Sequence, residues 1–168
     1  MELWDAVQLE LQRREEFRKE NGTRKLSCKA DSPLYSKVFC GVCGGKMTLW
    51  QSDTIRHSFW KCRNAEAKYQ KTCQSPKLSD DLLRMAIISA WNALVTERDT
   101  YLPQWKKMMW EGNALERLRA RQMIELTEEG PLDCEVPELT RMVVHKVVVN
   151  GSELKITFMD GTEKRIAM

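Results

Sequence analysis

The sequence has 168 residues and contains no long apolar run. A membrane-spanning helix needs about 18 or more consecutive apolar residues, so the sequence excludes one. The first residues, from Met1 to Asp5, lack the basic start and the apolar core of a signal peptide. Six cysteines are too few for a disulfide miniprotein. Without a secretory signal we expect a reducing compartment, where clustered cysteines are metal ligands before they are disulfides.

Motifs of catalytic zinc sites are also absent. The chain has two histidines, His57 and His145, and neither forms the His-x-Glu pattern of zinc deaminases or a His-Glu-x-x-His helix. A zinc hydrolase or deaminase also needs an open metal position and a nearby general base. The sequence therefore disfavours that class of enzyme.

Positive charge is concentrated in one part of the chain. The formal net charge is only +3. Residues 33–78 nevertheless carry eight basic and two acidic side chains, a net charge of +6, while residues 1–32 are neutral and residues 79–168 carry −3. The basic segment also holds four of the six cysteines. A basic surface around a cysteine cluster favours phosphate binding over an ordinary solvated face.

The pattern of apolar residues predicts an α+β protein in four segments. We expect an N-terminal helix and linker in 1–32, a small four-cysteine zinc β-ribbon in 33–78, helices in 79–130 and strands in 131–168. Helices are predicted for 3–20, from 79 to about 98, for a short segment near 101–112 and for 114–127, the last with Asn113 as its N-cap. The tryptophans and methionines of these helices are interpreted as core residues.

The C-terminal segment predicts a three-stranded antiparallel meander, packed on the ribbon or the helices. Asn150-Gly151 follows three valines and is typical of a hairpin turn, because both positions tolerate positive φ. Apolar residues then alternate with polar ones from Leu154 to Phe158, and Asp160-Gly161 supplies a second turn.

Four cysteines have metal-ligand spacing. Cys40 and Cys43 are separated by two residues and are followed by Gly44-Gly45, as in a zinc knuckle, while Cys62 and Cys73 supply a second, looser pair. A site of four thiolates leaves no open position, so the expected Zn²⁺ is structural. Disulfides, thiols placed by chance and a ligand role for His57 are the alternatives. Cys28 and Cys134 lack such spacing and are interpreted as free thiols.

Several segments in order resemble the C-terminal DNA-binding region of the large serine recombinases, which are site-specific recombinases of the resolvase/invertase superfamily. The resemblance covers most of the chain. It is carried by Glu2–Gln8 with Leu11 and Arg13-Arg14, by Tyr35–Met47 with the Cys-Gly-Val-Cys-Gly-Gly knuckle, by Trp60-Lys61-Cys62 and Cys73, by Ala90–Val95, and by the closing strands with Asp160-Gly161-Thr162-Glu163.

The resemblance implies a role in DNA recombination and in the DNA integration of mobile elements. The catalytic serine of this family lies in an N-terminal domain near an Arg-Val-Ser motif, which this sequence lacks. The chain begins at a helix that the family places in mid-protein, so we expect a fragment without catalytic chemistry of its own. Implied partners are double-stranded DNA and other recombinase subunits, with no membrane, in the bacterial cytoplasm and on the nucleoid when bound to DNA.

One family feature is not expected here. Longer members insert an extended coiled coil that pairs subunits at synapsis. Residues 79–129 show no sustained heptad repeat, and Pro103 and Gly112 interrupt the segment. A compact helical subdomain is predicted instead.

The DNA contacts are predicted on and after the ribbon. Lysines are expected on phosphates, and Arg56 is the candidate for base reading because its planar fork matches guanine. The predicted DNA-binding residues are Lys46, Arg56, His57, Lys61, Arg63, Lys68 and Lys71. The alternative function is a zinc-ribbon protein-interaction module without DNA affinity.

Overall fold

The structure is a computed structural model that describes residues 2–22, 32–51, 57–65 and 73–168. Arg56, Lys68, Lys71 and Cys28 lie outside the described residues. The elements in chain order are α1 Glu2–Asn21, β1 Val38–Cys40, β2 Met47–Gln51, β3 Ser58–Cys62, a 3₁₀ turn Arg63–Ala65, β4 Leu78–Ser79, α2 Asp80–Thr96, α3 Arg98–Glu111, α4 Ala114–Glu128, α5 Pro137–Val143, β5 Val144–Asn150, β6 Glu153–Phe158 and β7 Glu163–Ala167. The mixed α and β class is confirmed. Within these residues no helix combines the length and the apolar character needed to cross a membrane.

The chain divides into two compact units. The helical unit combines 1–25 with 91–132, and the ribbon unit combines 26–90 with 133–168. Helix α2 begins in the ribbon unit and ends in the helical unit. The four segments expected from the sequence are consecutive along the chain, whereas each of these units combines two separate stretches. The four-segment division stays a prediction.

The main sheet of the ribbon unit has the strand order β1-β5-β6-β7. The three-stranded meander is present, but β1 extends it as a parallel edge strand, with Val38 opposite Val147. The predicted meander is therefore confirmed, and β1 is an addition to it that the sequence did not indicate. The three residues of β1 are all buried, and an apolar edge strand satisfies its backbone groups by pairing with β5.

The meander has its two hairpins where they are predicted, but Asn150 is the last residue of β5 and the first turn is formed by Gly151-Ser152. Gly151 and Gly161 both adopt positive φ, 61° and 89°, at the two hairpin turns. Leu154, Ile156 and Phe158 are completely buried, while the residues between them are partly exposed. This alternation places one face of β6 in the core of the ribbon unit.

The second sheet has the order β2-β3-β4 and is antiparallel. Its buried face is formed by Met47, Trp60 and Cys62, which have 0–1% exposure, and by Leu78 of β4. Buried Trp60 donates its indole N–H to Asp80 Oδ1 at 2.7 Å. The first residue of α2 is thereby joined to the small sheet.

The helical unit is formed by α1, α3, α4 and the end of α2. Asn113 caps α4 through the backbone N–H of Glu116, whose carboxylate in turn accepts from the N–H of Asn113, so the predicted cap is confirmed. Trp105 and Trp91 are buried, as expected of core residues, but Trp110 is 87% exposed and that interpretation was wrong. Trp110 lies five residues after the buried Trp105, a spacing that places it on a different face of α3.

Helix α1 forms where the apolar spacing predicts it. Its apolar stripe is nevertheless exposed, and the residue that it buries is Ala6. A small side chain at a helix contact lets the two helix backbones approach closely. The exposed stripe consists of Leu3, Trp4, Val7 and Leu11.

Candidate metal centre and the basic residues around it

Four cysteine side chains converge in the ribbon unit. Cys40 ends β1, Cys43 lies in the turn after it, Cys62 ends β3 and Cys73 precedes β4. Their four Sγ atoms all lie within 4.8 Å of one another. The sulfur atoms of Cys43 and Cys62 are 3.4 Å apart, and those of Cys40 and Cys73 are 3.7 Å apart.

These distances fit one tetrahedral ion. Zn–S bonds of about 2.3 Å place the sulfurs of a tetrahedral site about 3.8 Å apart. The predicted ligand set is thus brought together from three places along the chain, the β1 turn, the end of β3 and the segment before β4. The arrangement forms a possible metal site in which four protein ligands leave no position for a substrate.

The first knuckle depends on its glycines. Gly44 has a φ of 68°, and its N–H donates to the Cys40 carbonyl at 2.8 Å. At Gly45 a Cβ would come within 2.6 Å of the Asn64 amide nitrogen and 3.2 Å of Cys43 Sγ. The turn therefore closes around the sulfur only because these two positions lack side chains.

The thiols are arranged for a cation. Burial opposes ionisation of Cys43, but hydrogen bonds from the Gly45 backbone, the Cys62 thiol and the Asn64 amide lower its pKa to about 7. Burial and the bond to Cys43 raise the pKa of Cys62 to about 12. Burial likewise raises the pKa of Cys73. Sulfurs this close ionise together only when a positive ion lies among them.

Asn64 is a site residue that the sequence did not reveal. Its side-chain Nδ2 donates to Cys43 Sγ at 3.5 Å, and its backbone carbonyl accepts from the N–H of Cys73 at 3.1 Å. It therefore contacts one cysteine of each pair. The only signal in the sequence is its place two residues after Cys62.

Four of the predicted DNA-binding residues are described. Lys61 lies on β3, Arg63 is exposed just after it and His57 is exposed just before it. Lys46 lies between the knuckle and β2, where its Nζ donates to Ser36 Oγ at 2.7 Å and lies 4.3 Å from the Tyr35 ring centroid. The DNA roles of these four residues, and of Arg56, Lys68 and Lys71, stay predictions.

Lys46 and Arg63 form a local concentration of positive charge. Burial lowers the pKa of Lys46, and the neighbouring Arg63 guanidinium lowers it further. The 63° φ of Ser36, which is unusual for a residue with a side chain, places its hydroxyl against Lys46. Both cations flank Cys62 and the knuckle, so the basic character predicted for the cysteine cluster is present around it.

Comparison with known proteins gives a family match for one segment of the chain. Residues 33–92 match the sequence model of the recombinase zinc beta ribbon domain. No curated protein matches the chain. Of the solved structures that are similar, the one reported as "Crystal Structure of a LSR-DNA Complex" has a TM-score of 0.50 at 16% identity, over 87% of this chain and 57% of that one. At this identity the likeness concerns the fold.

A second similar structure concerns the Listeria innocua prophage attP site. Its TM-score is 0.38 at 14% identity, over 79% of this chain and 45% of that one. The chain thus spans little more than half the length of the first solved structure and less than half that of the second. Residues 33–92 thus match the recombinase zinc beta ribbon domain, which confirms the resemblance of this segment to a recombinase zinc ribbon.

Proposed function

We propose that this chain is the DNA-binding, non-catalytic part of a serine site-specific recombinase. It would position the catalytic serine domain on a recombination site in double-stranded DNA. The observation that carries the proposal is the recombinase zinc beta ribbon of residues 33–92, with its four converging cysteines. The structure reported for an LSR–DNA complex supports it at the level of the fold.

The metal in this proposal is structural Zn²⁺. Cys40, Cys43, Cys62 and Cys73 would hold it, and the Asn64 amide and Gly45 N–H would share the negative charge of the Cys43 sulfur. The bound ion supplies folding energy to two small sheets and no reaction chemistry. The ribbon is thereby kept rigid enough to present its basic residues in fixed positions.

The DNA partner follows from the charges next to this site. Lys46, Lys61 and Arg63 lie on the ribbon with His57, and phosphates of duplex DNA are their complementary ligands. Other recombinase subunits, bound to the same recombination site, are the proposed protein partners. The proposed location is the bacterial cytoplasm, on the nucleoid when bound to DNA.

Duplex binding by the zinc-loaded chain tests the proposal. Fluorescence anisotropy with a labelled duplex should show binding at low salt that weakens steeply between about 50 and 200 mM salt, because phosphate contacts release counterions. Cys62→Ser should abolish binding together with zinc content. Cys134→Ser is the matched control, because the Cys134 thiol is exposed and does not belong to the ligand set.

Two outcomes would contradict the proposal. A zinc-loaded, folded chain without duplex affinity at low salt would favour the protein-interaction ribbon. Binding that hardly changes with salt would exclude a surface built on phosphate contacts.

A further inference from the structure

The β2-β3-β4 sheet has an outer face that differs from its buried one. Thr48 pairs with Lys61 and Trp50 pairs with Phe59 across β2 and β3. These four residues alternate with the buried set of Met47, Trp60 and Cys62, so they share the opposite face. Trp50 is 43% exposed there. We call this surface, with Lys77 beside it, the outer ribbon face.

Lysines lie over both aromatic rings of the outer ribbon face. Lys61 Nζ is 5.7 Å from the Trp50 ring centroid, and Lys77 Nζ is 4.8 Å from that of Phe59. The Trp50 indole N–H donates to Thr48 Oγ1 at 3.2 Å. The rings therefore support the two ammonium groups by cation–π contact, and part of the lysine side-chain entropy is lost before any ligand arrives.

The described residues around this face carry positive charge. Among the described residues 45–51, 57–65 and 73–79, which contain the three strands and their flanks, there is no aspartate or glutamate. The same stretches contain Lys46, Lys61, Arg63 and Lys77. The positive potential of these side chains attracts a polyanion such as DNA. It disfavours a protein partner whose surface carries few acidic residues.

We infer that the outer ribbon face is the surface that meets the DNA, with Lys61 and Lys77 each on a backbone phosphate. The inference rests on the proposed function and adds Lys77 to the predicted contacts. Because the two ammonium groups lie over the rings, this face presents positive charge to a ligand and not bare aromatic rings. Duplex backbone suits such a face, whereas single-stranded nucleic acid would need bare rings for base stacking.

A charge-matched pair of variants tests the face. K61Q/K77Q removes both lysines from it, and K155Q/K164Q removes two lysines from strands β6 and β7 of the other sheet. Anisotropy is measured with a duplex of mixed sequence and with the corresponding single strand, across a salt series. Zinc content and far-UV circular dichroism establish that each variant is folded.

The two double variants should differ clearly in duplex affinity and in salt slope. K61Q/K77Q should lower the salt slope by about 2 and duplex affinity by roughly 50-fold at 0.1 M salt, because each phosphate contact contributes about 0.9 to the slope. K155Q/K164Q should leave the slope unchanged, and Trp50→Leu should weaken binding by less than the lysine pair.

Other outcomes would overturn the inference in distinguishable ways. Equal losses in both pairs, or no loss in K61Q/K77Q, would leave duplex binding established and reject this face. A preference for the single strand, with Trp50→Leu as the most damaging change, would identify a stacking surface. Absence of duplex binding by the unaltered chain would reject the proposed function itself.

Discussion

The two units of the chain carry opposite charge and are stabilised differently. The ribbon unit has 15 basic and 11 acidic side chains, a net charge of +4, whereas the helical unit has 12 and 13, a net charge of −1. The ribbon unit contains two small sheets and the cysteine cluster. The helical unit relies on packed helices and ion pairs. Stability of the first unit should therefore depend on a metal, and that of the second on side-chain contacts within the chain.

Metal removal should give the largest effect. We expect a zinc chelator, or Cys62→Ser, to unfold the ribbon unit, because structural zinc contributes on the order of 10 kcal/mol in small modules. The helical unit should retain slow amide exchange in α3 and α4. Hydrogen exchange of the zinc-loaded and metal-free chain, read unit by unit, measures both.

The cysteines provide their own control for this experiment. Cys134→Ser should leave zinc content at one ion per chain and leave exchange unchanged. A metal-free chain in which the ribbon unit exchanges as slowly as the loaded one would show that its sheets do not depend on the ion.

The ribbon unit also contains a side-chain network that does not involve the metal. Arg84 Nε donates to Asp80 Oδ2 at 2.7 Å, and Arg84 also pairs with Glu135. Asp80 is 6% exposed. Arg84→Met preserves length but leaves two buried carboxylates without their cation, so it should lower the free energy of unfolding by about 3 kcal/mol.

This second change measures how much of the ribbon unit's stability is independent of zinc. Denaturation at a fixed free zinc concentration gives the value. Arg165→Met, at an exposed position of β7, is the control and should change stability little. A loss below about 1 kcal/mol for Arg84→Met would mean that the metal dominates this unit.

Local signals in the sequence predicted elements of both units. Turn and capping residues act locally, so Asn150-Gly151, Asp160-Gly161 and Asn113 predicted the elements that the structure contains. Ligand spacing likewise predicted the four cysteines of the cluster. Local patterns predict what neighbouring residues determine.

The sequence did not predict the contacts between residues that are far apart in the chain. The parallel contact between β1 and β5 joins residues more than a hundred positions apart, and neither strand's pattern specifies its partner. Asn64 reaches Cys43 only through the tertiary fold. The apolar spacing of α1 predicted a helix correctly, but spacing does not say whether a stripe such as Leu3 to Leu11 is covered.

In the helical unit, Glu10 should account for a pH dependence. Burial opposes its ionisation, but hydrogen bonds from Arg13 and Arg14 and the charge of Arg119 lower its pKa to about 2. Because the folded pKa lies below the ordinary value of 4.5, the stabilisation is complete above pH 4.5 and is lost as the pH falls towards 2.

Glu10→Gln tests this contribution. It should cost the helical unit about 2 kcal/mol at pH 7, after allowance for solvent screening of the partly exposed pairs, and should flatten the acid limb of a stability–pH curve. Urea denaturation at several pH values measures both. Glu15→Gln, in an exposed pair with Lys19, should leave the curve unchanged. A wild-type curve that is flat between pH 4.5 and 2 would contradict the assignment.

The smallest expected effect lies at the start of α4. Asn113→Ala removes the side chain that accepts from the Glu116 N–H at 3.0 Å, and with it one half of a reciprocal cap. The loss should be about 1 kcal/mol, confined to the helical unit. Glu125→Ala, exposed within the same helix, is the control for a change of helix propensity alone. Because the cap lies within the helical unit, zinc content should not change, and any loss of zinc in Asn113→Ala would mean that the two units do not fold independently.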